Sequence, residues 1–170
     1  MRPDPRYPIG EFSFPEATTT EQRREWIRDI AEAPALLRAA VSGLSEQQLD
    51  TPYRPGGWTA RQVVHHLADS HMNSYVRFKL ALTEESPVIK PYDEGLWANL
   101  PDGSSMPIEP SLSLLEGLHS RWVRLLESMS ETDFLRAFHH PESGTIRLEQ
   151  NLAHYAWHGK HHVAHVMSIR

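Results

Sequence analysis

Four long stretches of the sequence carry apolar residues at the three- and four-residue spacing of an amphipathic helix. They cover residues 20–43, about 59–83, about 111–129 and about 148–170. Pro34 falls inside the first stretch, where a proline is expected to kink or interrupt a helix. Because each stretch can bury its apolar side only against the others, the pattern predicts an all-α fold, a four-helix bundle.

The segments outside these stretches are rich in proline. Residues 1–19 contain four prolines, and we interpret them as an N-terminal arm. Residues 86–110 contain five, and they are predicted to form a long crossover loop between the second and third long helices. Short helical turns are predicted at residues 45–49 and 131–138, and a turn is predicted at residues 140–144.

The composition is that of one ordinary globular domain. With 170 residues, 39% of them hydrophobic, residues 1–170 are predicted to share a single core. A net charge of −5 and a pI near 6.1 argue against nucleic-acid binding. No apolar run has the length of a signal peptide or membrane span, so we expect a cytoplasmic protein without a membrane partner. Since cysteine is absent, any metal must be bound through nitrogen or oxygen.

Histidine is the over-represented residue, at 11 of 170 positions. Five histidines share one side of the last predicted helix: His154, His158, His161, His162 and His165. Two histidines four residues apart, such as His158 and His162, can bind one ion from a single helix. The apolar residues of this helix place those two nearest the buried face, and they place His154, His161 and His165 progressively further towards solvent.

The second long helix offers candidates for a third ligand. His71 lies on its apolar face and resembles a core histidine, whereas His66 lies on a polar stripe that suits either solvent or the wall of a wet cavity. Asp69 and Asn73 share that stripe and are candidates to orient an imidazole ligand. Three ligands would leave open coordination positions, typical of catalysis, and a fourth ligand from His65 or His71 would close the site.

Other catalytic motifs are absent from the sequence. The segment His158-Gly-Lys-His-His162 departs from the H-E-x-x-H motif of zinc proteases, because Gly159 stands where the general-base glutamate would be. There is no G-x-S-x-G motif and no glycine-rich phosphate loop. Arg61 and Arg77 are either contacts for an anionic substrate or ordinary surface arginines.

Several blocks of the sequence resemble the DinB-like superfamily, and within it the YfiT group of provisionally assigned metal-dependent hydrolases. They include Asp50-Thr-Pro-Tyr-Arg-Pro-Gly-Gly-Trp-Thr59, the His-His-Leu-Ala-Asp block around His66, and His161-His-Val-Ala-His165. The likeness covers nearly the whole chain. It implies a four-helix bundle, commonly dimeric, that binds one divalent metal through three histidines. The matching positions are His66, His158 and His162.

The resemblance implies an activity on a small-molecule substrate. A metal held by three neutral imidazoles keeps its full charge and can activate water, which is the basis of the hydrolase assignment. Other DinB-like relatives resemble transferases of low-molecular-weight thiols such as bacillithiol or mycothiol, and the same open metal could bind a thiol. A non-catalytic metal-binding or stress-response protein is a third alternative. Zinc is the expected metal, with nickel or iron as alternatives, and a homodimer is the expected assembly.

Overall fold

The computed structural model describes residues 4–170, so the first three residues of the predicted arm lie outside it. Its four long helices are α1 (Thr20–Val41), α3 (Ala60–Thr83), α6 (Glu109–Glu127) and α8 (Leu148–Met167). The shorter elements are α2 (Glu46–Leu49), α4 (Glu94–Ala98), α5 (Pro101–Ser104), α7 (Glu131–Phe134), β1 (Ala137–His140) and β2 (Gly144–Arg147). The predicted four-helix bundle is confirmed.

The starts of α1 and α3 are fixed by capping boxes. The hydroxyl of Thr19 accepts the N–H of Gln22 at 3.1 Å, and the side chain of Gln22 accepts the N–H of Thr19 at 2.8 Å. Thr59 and Gln62 repeat the arrangement with distances of 3.1 and 3.0 Å. Because both partners satisfy N–H groups that a helix start leaves free, the register of α3 is set from its first turn.

The bundle places its first two long helices diagonally opposite each other. Helices α1 and α3 each pack against both α6 and α8. Phe78 of α3, Trp122 of α6 and Leu152 of α8 are fully buried in one of the two apolar clusters between them. As a result α3 and α8, which carry the histidine candidates, are neighbours. No helix within residues 4–170 is long and apolar enough to cross a membrane.

Pro34 lies inside α1 without ending it, because the helix is continuous from Thr20 to Val41. A proline has no N–H, so the carbonyl of Ile30 lacks the helical donor that it would normally receive four residues later. That carbonyl instead lies 2.6 Å from Nδ1 of His119 on α6. The missing bond of α1 is thereby replaced by a bond to a neighbouring helix.

The long connection is more regular than a loop. Residues 86–110 contain α4 and α5, and their first part is bonded to β1: the N–H of Ile89 donates to the carbonyl of His139 at 3.0 Å, and the N–H of His139 donates to the carbonyl of Pro87 at 2.8 Å. The predicted long connection between the second and third long helices is present, but part of it is helical. Helices of four or five residues are too short to produce a visible apolar period.

The segment that follows α6 also differs from its prediction. The helix expected over residues 131–138 ends at Phe134, and the chain continues into β1, which pairs antiparallel with β2. The turn predicted at residues 140–144 is confirmed as the turn of this hairpin, and it ends at Gly144 with φ of +80°. Strands of four residues hold only two alternations, too few to be recognised from sequence.

Arg61 is a structural residue of α3. Its guanidinium is buried and donates to Asp50 at 2.8 Å, to Glu46 at 2.6 Å and to the carbonyl of Met106 at 3.1 Å. It therefore joins α3 to α2 and to the segment before α6. The sequence predicts that Arg61 is either a substrate contact or a surface arginine, and neither role fits this buried position.

We expect Arg61→Gln to lower the free energy of unfolding by roughly 1–3 kcal/mol, because it removes charge-assisted bonds from a buried group. Urea unfolding measures the change, and metal content should stay that of the unaltered chain. Arg28→Gln, on the exposed side of α1, is the control and should change little. Equal losses in the two variants would contradict the structural role of Arg61.

Candidate metal centre

The three predicted ligands meet between α3 and α8. His66, His158 and His162 are buried, and one ring nitrogen from each lies within 4.8 Å of the others. Nε2 of His66 is 3.3 Å from Nε2 of His158. Two nitrogens bound to a tetrahedral zinc at about 2.05 Å are themselves about 3.3 Å apart. These three residues can therefore hold a metal ion.

Local packing orients the three rings. His158 and His162 stand one turn apart on α8, with ring centroids separated by 4.5 Å. The ring of His66 lies 4.5 Å from that of Trp58, in the segment before α3. Gly159 lets α8 approach α1, since a Cβ there would lie 3.3 Å from Cβ of Ala33. A larger side chain at this position would be crowded, which accounts for glycine where a protease has glutamate.

Burial keeps the three rings neutral. It lowers the pKa of His66 to about 4, with a smaller effect from the nearby ring of His161. Burial is also the largest cause that holds the pKa of His158 and of His162 well below the usual value, and neighbouring histidines add to it. A neutral imidazole has a lone pair available for a cation. The site is therefore ready to bind metal at neutral pH.

Two further histidines extend inwards from His158. Nδ1 of His158 lies 3.1 Å from Nε2 of His71, and Nδ1 of His71 lies 2.8 Å from Nε2 of His119. His71 is buried, as its place on the apolar face of α3 predicts, but both of its nitrogens are used. His119 is the residue that sequence reasoning missed. The available signal was a histidine in phase with the buried Leu112, Leu115 and Trp122 of α6.

The predicted exposure of His161 and His165 is wrong. Their exposed fractions are 6% and 2%, because residues of the N-terminal arm cover them. Nε2 of His165 donates to the carbonyl of Pro5 at 3.1 Å, and the ring of Tyr7 lies 6.3 Å from that of His161. His154 alone of the three is partly exposed. A helical wheel considers one helix and cannot include a covering segment from the other end of the chain.

His165 also contacts a ligand. Its Nδ1 lies 3.3 Å from Nδ1 of His162. Because the carbonyl of Pro5 can only accept, the proton of His165 is on Nε2, and its Nδ1 can accept from His162. Nε2 of His162 is then free for the metal. Although His161, His162 and His165 also lie within 4.8 Å by one nitrogen each, the Pro5 bond and this contact occupy both nitrogens of His165.

The remaining candidates face other partners. Nδ1 of His65 lies 2.7 Å from the hydroxyl of Ser111, and its Nε2 lies 3.0 Å from the carbonyl of Met106. The amide of Asn73 donates to the backbone carbonyl of Asp69 at 2.8 Å, and burial raises the pKa of the Asp69 carboxyl to about 6. Within residues 4–170 neither the Asn73 amide nor the Asp69 carboxyl hydrogen-bonds to one of the three candidate ligands. The α8 ligands are bonded to His71 and His165 instead.

A cavity of about 440 Å³ opens beside the three histidines. Its wall includes polar side chains from α3, the crossover, the hairpin and α8: Ser70, Arg77, Tyr92, Glu94, His140, Glu142, Ser143, His154 and Tyr155. Burial raises the pKa of Tyr92 to about 12 and also raises the pKa of Tyr155, so both phenols keep their protons and can donate hydrogen bonds. Arg77, unlike Arg61, is placed where a ligand could reach it.

Comparison with known proteins gives consistent matches. Residues 29–166 match the DinB superfamily. A protein of Oceanobacillus iheyensis is 58% identical over 164 residues, which are 96% of this chain and 95% of that protein. A Bacillus cereus protein is 54% identical over 167 residues, 98% and 96% of the two chains. Both are named provisionally as metal-dependent hydrolases.

A solved structure has the same fold. YfiT from Bacillus subtilis superposes with a TM-score of 0.95 at 51% identity, over 97% of this chain and 95% of YfiT. YfiT is described as "a probable metal-dependent hydrolase with an unusual four-helix bundle topology". The diagonal placement of α1 and α3 is a feature by which this bundle departs from simple up-and-down order.

Removing a ligand should remove the metal. We expect His158→Ala and His162→Ala to lose most of about one bound ion per chain, because two imidazoles bind a cation far more weakly than three. His154→Ala should retain it, since His154 lies on the cavity wall outside the trio. Elemental analysis of untagged protein measures the content. Equal loss in all three variants would contradict the assignment of ligands.

The stability of the metal-free protein should decrease as the pH is lowered. Burial holds the pKa of His66 and of His154 at about 4, below the value of about 6.5 for an unfolded chain. Between these values the unfolded chain binds more protons than the folded one. The free energy of unfolding should therefore decrease as pH falls from about 6.5 towards 4, by up to about 1.4 kcal/mol per pH unit for each fully buried histidine. Urea unfolding of chelator-treated protein at several pH values measures the change. A free energy of unfolding that stays constant from about pH 6.5 to about 4 would refute the prediction.

Proposed function

Because the chain belongs to the DinB superfamily, we propose that it is a metal-dependent hydrolase whose divalent ion is bound by His66, His158 and His162. Zinc is the first candidate, with nickel or iron as alternatives. The observation that carries the proposal is the number of ligands. His65 and His71, which could have closed the site, both bond elsewhere. Three ligands beside a cavity are typical of a catalytic metal, whereas structural zinc uses four.

The cavity wall supplies groups to bind and orient a substrate. When bound, the metal would supply Lewis-acid activation of a water molecule and of the bond to be cleaved. Tyr92 on the cavity wall can donate a hydrogen bond to a substrate oxygen, whereas the hydroxyl of Tyr155 lies 3.2 Å from that of Ser70. Arg77 offers a positive charge, and Glu94 and Glu142 offer negative ones. Charges of both signs in about 440 Å³ favour a small polar substrate.

Thiol transfer and non-catalytic metal binding stay predictions. The chain has no cysteine, so a reactive thiol would have to enter the cavity as a small molecule. Thiol transfer would use the same open position on the metal. The homodimer also stays a prediction, and the ligand set does not depend on it, since all three histidines belong to one chain.

Reconstitution tests the proposal. Chelator-stripped protein reloaded with about one zinc or nickel per chain should hydrolyse members of an ester and amide panel, and His162→Ala should be inactive. His139→Ala is the matched control, because His139 is exposed on β1 and does not line the cavity. Turnover that requires a low-molecular-weight thiol and an electrophile would replace the hydrolase by a transferase. Full metal content without either turnover would favour the non-catalytic alternative and contradict the hydrolase.

A further inference from the structure

A chain of imidazoles leads from the metal centre through the whole bundle. Nδ1 of His158 faces Nε2 of His71 at 3.1 Å, Nδ1 of His71 faces Nε2 of His119 at 2.8 Å, and Nδ1 of His119 faces the carbonyl of Ile30 at 2.6 Å. In order, these residues belong to α8, α3, α6 and α1. A single line of hydrogen bonds therefore joins all four long helices.

The inner end of this chain has a fixed polarity. The carbonyl of Ile30 can only accept a hydrogen bond, and Ile30 is fully buried, so water does not serve it. Its usual helical donor is missing because residue 34 is proline. Nδ1 of His119 is the donor that remains. The proton of His119 must therefore be on Nδ1, and its Nε2 must be an acceptor.

The polarity then passes outwards from ring to ring. All three rings are buried, and their hydrogen-bond partners are other imidazoles and one carbonyl, with no carboxylate to balance a positive charge, so each ring is neutral, with one N–H and one lone pair. Since Nε2 of His119 accepts, Nδ1 of His71 donates and Nε2 of His71 accepts. Nδ1 of His158 must then carry the proton. Its Nε2, which faces Nε2 of His66 at 3.3 Å, is left with the lone pair.

We propose that His71, His119 and Pro34 are positioning residues that hold His158 in the Nδ1–H tautomer, with the Nε2 lone pair directed into the metal site. The inference rests on the metal centre of the proposed function but not on any reaction there. A ligand histidine whose second nitrogen has a fixed partner binds metal better, because its tautomer and ring orientation are already set. In this chain the tautomer of that partner, His71, is set through His119 of α6 by a proline of α1.

Nuclear magnetic resonance reads the tautomers directly. In the long-range proton–nitrogen spectrum of the metal-free, nitrogen-15-labelled protein near neutral pH, His158, His71 and His119 should all be Nδ1–H forms. Resonances are assigned with single histidine variants. Finding His158 as the Nε2–H form would overturn the proposal without any variant. Normal zinc binding together with that result would leave the metal centre intact, whereas absence of zinc binding would defeat the proposed function itself.

His71→Leu removes the acceptor of the His158 proton. We expect His158 to lose its Nδ1–H preference and zinc affinity to fall roughly 10–100-fold. His65→Leu is the matched control, because it removes another buried histidine of α3 whose bonds go to Ser111 and Met106. It should leave the His158 spectrum and zinc affinity unchanged. Equal losses of affinity in both variants would show a packing effect and overturn the proposal.

Two further variants separate polarity from packing. His71→Gln can accept with its carbonyl and donate with its amide, so it should retain more zinc affinity than His71→Leu. Pro34→Ala returns an N–H to the carbonyl of Ile30; we expect higher thermal stability of the metal-free protein but weaker zinc binding. A packing defect would not move the two quantities in opposite directions. Full zinc affinity with an Nδ1–H His119 in Pro34→Ala would overturn the role of Pro34.

Discussion

The hydrogen-bonding needs of buried, neutral histidines determine much of this bundle. A neutral imidazole removed from water requires an acceptor for its N–H and a donor or a cation for its lone pair. His71, His119, His158, His162 and His165 are all buried, and the structure gives them partners from α1, from the N-terminal arm and from one another. Of these five, His158 and His162 each keep one nitrogen outside these bonds, and both rings lie beside His66, whereas Nδ1 of the nearby His161 has no hydrogen-bond partner.

The two candidate ligands of α8 are each bonded, through other histidines, to a backbone carbonyl. His158 is bonded through two imidazoles to the carbonyl of Ile30, and His162 is bonded through His165 to the carbonyl of Pro5. Each route ends on a backbone acceptor, which cannot change its protonation. The N-terminal arm and the proline of α1 are thus parts of the site, although both are far from the ligands in sequence.

The long crossover does more than join two helices. It connects α3 to α6, which pack against each other, so the diagonal placement of α1 and α3 does not account for its length. The crossover contributes Tyr92 and Glu94 to the cavity wall, while the hairpin after α7 contributes His140 and Glu142. The segments without helical periodicity therefore supply much of the wall that would select a substrate.

The candidate ligands could be selected from the sequence because each depends on the pattern of one helix, whereas the groups bonded to them could not. Spacing and an apolar face identified His158 and His162, and the polar stripe of α3 together with the resemblance identified His66. His165 is buried only because the arm returns to it, and His119 acts only because Pro34 frees a carbonyl on another helix. Such contacts join segments that no local period connects. Asp69 illustrates the same limit, because its position on the stripe of His66 did not bring its carboxyl within hydrogen-bonding distance of a ligand histidine.

The proline of α1 and the buried histidines lower the stability of the metal-free protein, whereas a bound metal would raise it. Pro34 in a helix interior removes a hydrogen bond of α1, and neutral buried histidines favour unfolding as pH falls, since the unfolded chain can protonate them. A metal that binds only the folded arrangement of His66, His158 and His162 acts in the opposite direction, by an amount that grows with its concentration relative to its dissociation constant. A bound metal would therefore offset these losses of stability, and lone pairs that are already oriented would limit how much of the binding energy is lost in ordering the site.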